Sequence, residues 1–142
     1  MSAQPRPDLA AMLHRLAKEF GRREEPILAA HDLSLWQYMV LDTLASGPAG
    51  TQAGLAARIG HDKTRLIGIL DELQDLGLID RFPDPDDRRN RVVSLTADGR
   101  QRLSACRRDI RAMERRALTA LDSATRAALV SGLIALSEGV SQ

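Results

Sequence analysis

Apolar residues recur at helical spacing in six stretches of the chain, and two shorter runs between them alternate like strands. Leu9, Leu13, Leu16 and Phe20 step by 4, 3 and 4 residues and predict one face of a helix starting at Asp8. Pro26 is expected to end or kink that helix, and it also suits the first position of a new turn. Ser34 predicts the cap of a second helix carrying Leu35, Tyr38, Met39, Val40, Leu41 and Leu44, stopped by Ser46-Gly47-Pro48-Ala49-Gly50. Thr51 then caps a short helix holding Leu55, Ala56 and Ile59, and Gly60 ends it. Asp62 caps a longer helix with Leu66, Ile69, Leu70, Leu73 and Leu76 toward a core, closed by Gly77. Two helices so close in sequence form a helix-turn-helix candidate.

The next segment strengthens that reading. Leu78-Ile79-Asp80-Arg81-Phe82 and Arg91-Val92-Val93-Ser94-Leu95 have strand character, and the charged stretch Pro83 to Asn90 joins them. A hairpin directly after a helix-turn-helix is the wing of a winged helix. Thr96 caps another helix, with Asp98 in its first turn and Leu103, Cys106, Ile110, Met113 and Ala117 on one seam. A last helix, from about Asp122, aligns Leu129, Leu133, Leu136 and Val140, with Val130 and Ile134 beside them. The expected fold is mainly α with a small β wing. A winged helix-turn-helix at 34–99 lies between terminal helices at 8–32 and 100–142. These long helices have little of their own chain to pack against, so a second copy is expected to cover their seams.

Composition excludes several classes of function. At 142 residues the chain suits one domain. No stretch approaches the ~18 apolar residues of a membrane span, and the start MSAQPRPDLA has no signal-peptide apolar core, so no membrane partner and a cytoplasmic location are expected. Cys106 stands alone, and His14, His31 and His61 share no ligand spacing, so neither a metal nor another cofactor is expected. Net charge is only +1, so a polyanion would have to be held by a few placed residues rather than a basic tail. With Phe20, Trp36, Tyr38 and Phe82 as the only aromatics, the chain lacks the stacking platforms of single-strand binders. No Gly-x-Ser-x-Gly, His-Glu-x-x-His or phosphate-binding glycine loop occurs, and no enzyme is expected.

Two constellations remain. On the helix after Asp62 the apolar stripe leaves Lys63, Thr64, Ile67, Gly68 and Asp71 facing outward, with Arg65 at the edge. Such a surface offers donors for phosphate or guanine, a methyl-bearing contact for thymine and no bulk at Gly68 where a backbone must approach. The alternative is an ordinary solvated face, but an exposed isoleucine beside a helix-weakening glycine favours a docking role. Within the loop, Asp87 and Arg89 suit a carboxylate–guanidinium pair that extends the arginine toward a narrow minor groove, with Arg88 and Arg91 beside it. The alternative there is a charged, solvated turn.

From Thr51 to Gly99 the sequence resembles the MarR family of bacterial winged-helix regulators: "LAARIG", "DKTRLIGILDELQDLGLIDR" and "DPDDRRNRVVSLTADG". The family's Asp-x-Arg wing matches Asp87-Arg88-Arg89. Its Gly-Leu turn matches Gly77-Leu78, and its Leu-Thr-x-x-Gly matches Leu95 to Gly99. The resemblance implies a homodimeric, sequence-specific regulator of double-stranded DNA, acting as a repressor relieved by a small-molecule effector. Arg89 would read the minor groove with Asp87 orienting it, and interlocked terminal helices would set two recognition helices on a pseudo-palindrome. Because the family often has a polar residue or arginine where Ile67 and Gly68 stand, base contacts fall more on Lys63, Thr64 and Arg65.

His14, Arg15, Trp36 and Tyr38 are the candidates for an effector pocket between the first two helices and the fifth; the alternative is a partly buried aromatic core with a surface His-Arg pair. Cys106, in a seam, reads as an inert small hydrophobe rather than a redox group. The competing function is a helical interaction or adaptor module that keeps a winged helix without reading DNA.

Overall fold

The computed structural model describes residues 4–47, 50–60 and 62–140. Pro48 and Ala49 of the expected stop, and His61, lie outside these. The order is α1 (Leu9–Ala30), α2 (Leu35–Ala45), β1 (Gly50–Thr51), α3 (Gln52–Ile59), α4 (Lys63–Asp75), β2 (Ile79–Pro83), β3 (Arg91–Leu95), α5 (Ala97–Ala117) and α6 (Ser123–Val140).

Local chemistry sets most of the boundaries. Ser34 and Gln37 form a reciprocal capping box on α2. Thr51, Asp62 and Thr96 accept from the backbone N–H groups of Gly54, of Thr64 and Arg65, and of Gly99. Asp8 sits at the start of α1 but makes no side-chain cap. At the end of α4, Gly77 takes φ 74° while Leu78 N–H donates to the Leu73 carbonyl at 3.0 Å and Gly77 N–H to that of Gln74 at 2.9 Å, a Schellman closure.

Several expectations change. Pro26 does not end α1, which runs on to Ala30. Pro26 is exposed, and Ile27 and Leu28 just beyond it pack on the core, outweighing a helix-interior proline cost of ~3 kcal/mol. Leu76 is 47% exposed because the turn at Gly77 hands its place in the core to Leu78, 1% exposed. Beside the expected hairpin, Gly50 and Thr51 pair with Val93 and Val92, giving a three-stranded antiparallel sheet in the order β1-β3-β2. The first hairpin strand sits one residue later than read, at Ile79–Pro83, while the second runs Arg91–Leu95 as expected, with Ile79 opposite Leu95 and Pro83 opposite Arg91.

One core joins the helix-turn-helix, the wing base and α5: Val40, Leu41, Leu55, Leu66, Leu70, Leu73, Leu78, Ile79, Val93, Leu103 and Cys106 are essentially sealed. The seam of α5 is therefore filled within the protomer by α1 and α2 and needs no second copy. The other two seams are open. Leu9, Leu13 and Leu16 of α1 are 60%, 48% and 51% exposed, and α6 has no buried residue although it carries Leu129, Val130, Leu133, Ile134 and Leu136.

Candidate nucleic-acid interface

The α4 helix is pinned from behind and open in front. Leu66, Leu70 and Leu73 are 0% exposed, whereas Lys63, Thr64, Arg65, Ile67 and Gly68 all face solvent. A Cβ built on Gly68 meets nothing within 4 Å. Asp62 Oδ1 accepts from the N–H groups of Thr64 at 2.8 Å and Arg65 at 3.1 Å, and its other oxygen stands 3.6 Å from Arg65 Nε. The first turn is thus capped, with Arg65 leaning toward the helix start and Lys63 and Thr64 flanking it. Gln37 of α2 donates to Glu72 at 2.8 Å and fixes the middle of α4.

Within the 84–90 loop of the wing, Asp84 and Asp87 turn their carboxylates to neighbouring groups of the loop itself. Asp84 accepts from Asp86 N–H at 2.9 Å. One oxygen of Asp87 accepts from Arg89 N–H at 3.1 Å and the other from Asn90 Nδ2 at 3.3 Å. Asp87 therefore holds the main chain at Arg89, not its guanidinium, which corrects the expected carboxylate–guanidinium pair. The physical reason is the bend at 88–89: a turn places the N–H two residues on within reach of a short Asx side chain. Arg88, Arg89 and Arg91 are exposed, and none joins the ion pairs found among the described residues. Arg88 and Arg89 on the loop and Arg91 at the start of β3 therefore present three guanidiniums outside any ion pair found among the described residues.

A residue given no role in the sequence reading, Arg81, connects the two surfaces. Arg81 of β2 donates from Nε to Gln74 Oε1 at 2.7 Å and from its terminal nitrogens to Asp71 Oδ1 at 2.5 Å and Gln52 Oε1 at 3.3 Å. Asp71 faces outward as expected, its side chain 58% exposed, and its carboxylate also accepts from this guanidinium.

The four effector-pocket candidates lie apart from the two cavities described below. His14 and Arg15 are exposed on α1 and Trp36 is 40% exposed at the start of α2. Tyr38 is half-buried; burial pushes its hydroxyl up, opposed by a hydrogen bond from Arg107, which also pairs with Asp42. A cavity of about 570 Å³ opens between the end of α1, the α4–β2 turn and α5, and one of about 390 Å³ between α5 and α6; neither is lined by any of the four. Cys106 is buried, and desolvation, with Asp109 and Glu24 nearby, pushes its thiol up to about 11. That is the environment of an inert thiol.

Residues 31–90, the helix-turn-helix and most of the wing, match the model of the MarR family. An uncharacterised HTH-type transcriptional regulator of Mycobacterium leprae is 33% identical over 103 residues, spanning 71% of this chain and 68% of that one. The chain belongs to the MarR family. Among solved structures, the transcriptional repressor CouR bound to a 23-mer DNA duplex is 28% identical over 92% of each chain, with a TM-score of 0.79. The apo form of wild-type MarR from Escherichia coli shares the fold at a TM-score of 0.78 and 23% identity, covering 93% of this chain and 98% of that one. This MarR-family chain is a DNA-binding transcriptional regulator. Among its described residues no helix is long and apolar enough to cross a membrane.

Proposed function

We propose that this MarR-family regulator works in the cytoplasm as a homodimer that represses by occupying a pseudo-palindromic site, without enzymatic activity. Residues 34–99 of each protomer read one half-site; residues 8–32 and 100–142 hold the two protomers together. Lys63, Thr64, Arg65 and Ile67 enter the major groove, with Gly68 admitting the backbone, and Arg89 reaches the minor groove while Arg88 and Arg91 meet phosphate. Asp87 orients Arg89 through the main chain. The observation that carries this reading is the pairing of an unobstructed α4 face with a wing whose three arginines have no acidic partner. CouR, which binds a DNA duplex as a repressor, lends support.

Dimerisation is supported by the open apolar faces of α1 and α6, which lose exposed area only against another surface. A small-molecule effector relieves repression by favouring a separation of the two recognition helices that differs from one DNA turn, about 34–36 Å. Binding of fluorescent duplexes tests the DNA contacts. Arg89→Ala is expected to weaken binding by about fivefold or more and to flatten the preference for A·T-rich flanks; unchanged binding to such flanks rejects the wing assignment. Sedimentation tests assembly: the wild type is expected as a dimer and Leu133→Glu as a folded monomer, because Leu133 is already 40% exposed in the protomer. A wild-type monomer at micromolar concentration defeats the two-half-site model.

A further inference from the structure

We infer that Arg81 is a positioning residue for DNA reading: it sets the angle between the recognition helix and the wing. The inference rests on the assignment of α4 and the wing loop as the DNA-contacting pair. The Arg81 side chain is only 10% exposed. Its three hydrogen-bond partners come from two helices: Asp71 and Gln74, one turn apart on α4, and Gln52, the first residue of α3 and itself 9% exposed. Arg81 stands in β2 opposite Val93, on the strand that leads into the wing loop.

Beyond the Schellman turn that ties the end of α4 to the strand, Leu70 and Leu73 of α4 and Ile79 of β2 belong to the shared apolar core. Apolar packing resists separation but is non-directional, so it fixes an angle weakly. A planar guanidinium with donors in a fixed fork does fix one. The lever arm makes that angle matter. Lys63, Thr64 and Arg65 lie about 10–15 Å along the helix from the Asp71–Gln74 anchor, at 1.5 Å per residue. A swing of about 10° therefore moves them by roughly 2–3 Å, beyond what a hydrogen bond to a base edge tolerates. Wing and helix must meet one half-site together, so a drift in their relative angle costs sequence discrimination before it costs folding. Burying a charge rarely adds net stability over an apolar residue of similar size, which points to geometry as what Arg81 supplies.

A double-mutant cycle tests the proposal. Binding of wild type, Arg81→Met, Arg89→Ala and the double variant is measured by fluorescence anisotropy at one salt concentration. The probes are a duplex recovered by selection from a random pool and a scrambled duplex. Arg81→Met is expected to lose about fivefold or more for the selected duplex, with the scrambled duplex nearly unaffected. In the Arg81→Met background, Arg89→Ala is expected to cost less than about twofold, because a misdirected wing has little left to lose. A strictly additive cycle, or equal losses on both duplexes, overturns the brace while leaving the wing assignment standing. No effect of Arg89→Ala in the wild-type background overturns both. Should Arg81→Met fail to fold, Gln74→Ala removes the 2.7 Å bond from an exposed position and is expected to lower the selected-to-scrambled ratio; an unchanged ratio overturns the proposal.

Discussion

Gly99→Ala isolates the junction where the winged helix meets the long fifth helix. A Cβ at Gly99 would sit 2.0 Å from the Leu78 carbonyl oxygen and 3.0 Å from its carbon. Ordinary contact begins near 3.4 Å, so the start of α5 must retreat by roughly 1.4 Å from backbone that cannot rotate aside. The same junction carries Thr96 N–H donating to Leu78 at 3.1 Å and the Thr96 hydroxyl donating to Gly77 at 2.7 Å, and that retreat stretches both past useful length. Overpacking costs about 1–3 kcal/mol and two weakened hydrogen bonds about 1 kcal/mol each, against about 1 kcal/mol recovered from alanine's helix propensity. The net is a loss of about 2–4 kcal/mol. With an unfolding entropy near 2.1 cal/mol/K per residue, this chain length converts the loss to a fall in Tm of about 7–13 °C. Thermal denaturation followed by circular dichroism at fixed protein concentration reads it directly. A Gly99→Ala protein melting within about 2 °C of wild type, or above it, refutes the argument.

Two further outcomes follow from sites with opposite character. Gly68→Ala meets no neighbour within 4 Å, so it is expected to raise stability by about 0.5–1 kcal/mol while lowering DNA affinity; a more stable variant with undiminished affinity shows that the duplex does not approach that face. Cys106 is expected to resist alkylation in the native protein. Its thiol is raised to about 11 from the ordinary 9.0, chiefly by desolvation, so the folded state holds the proton longer than the unfolded chain. The stability this contributes is complete below about pH 9 and fades as pH rises through 11. A pH–Tm slope above 9 no steeper in wild type than in Cys106→Ala contradicts it.

The features legible in the sequence are the ones set within a few residues. Ser34, Thr51, Asp62 and Thr96 announce their helices because a capping oxygen meets an N–H two or three positions on, and Gly60 and Gly77 end theirs because both take positive φ. The exposed Lys63, Thr64, Ile67 and Gly68 were readable for a similar reason: helical period alone separates them from Leu66 and Leu70. What depends on distant neighbours was not readable. Pro26 continues a helix because Ile27 and Leu28 find a core beyond it. The two-residue strand β1 exists only because β3 offers an edge. The seam of α5 looked like the seams of α1 and α6 in periodicity, yet α1 and α2 fill it while the others stay open. The bracing role of Arg81 is silent in the sequence because its partners lie 7, 10 and 29 residues away. At the wing, residue types suggested a side-chain pair between Asp87 and Arg89, but the turn brought a backbone donor to Asp87 first.

The measurement that bears most directly on the account is selection of bound duplexes from a random pool by the purified wild-type chain, followed by titration of the enriched sequence across salt. A homodimer with two recognition helices predicts an inverted repeat whose half-sites are centred one helical turn, about 10–10.5 base pairs, apart. It also predicts affinity that falls steeply with salt, at roughly −0.9 in log K per phosphate neutralised. An unenriched pool with a nearly flat salt curve would contradict it and return the molecule to the class of helical interaction modules.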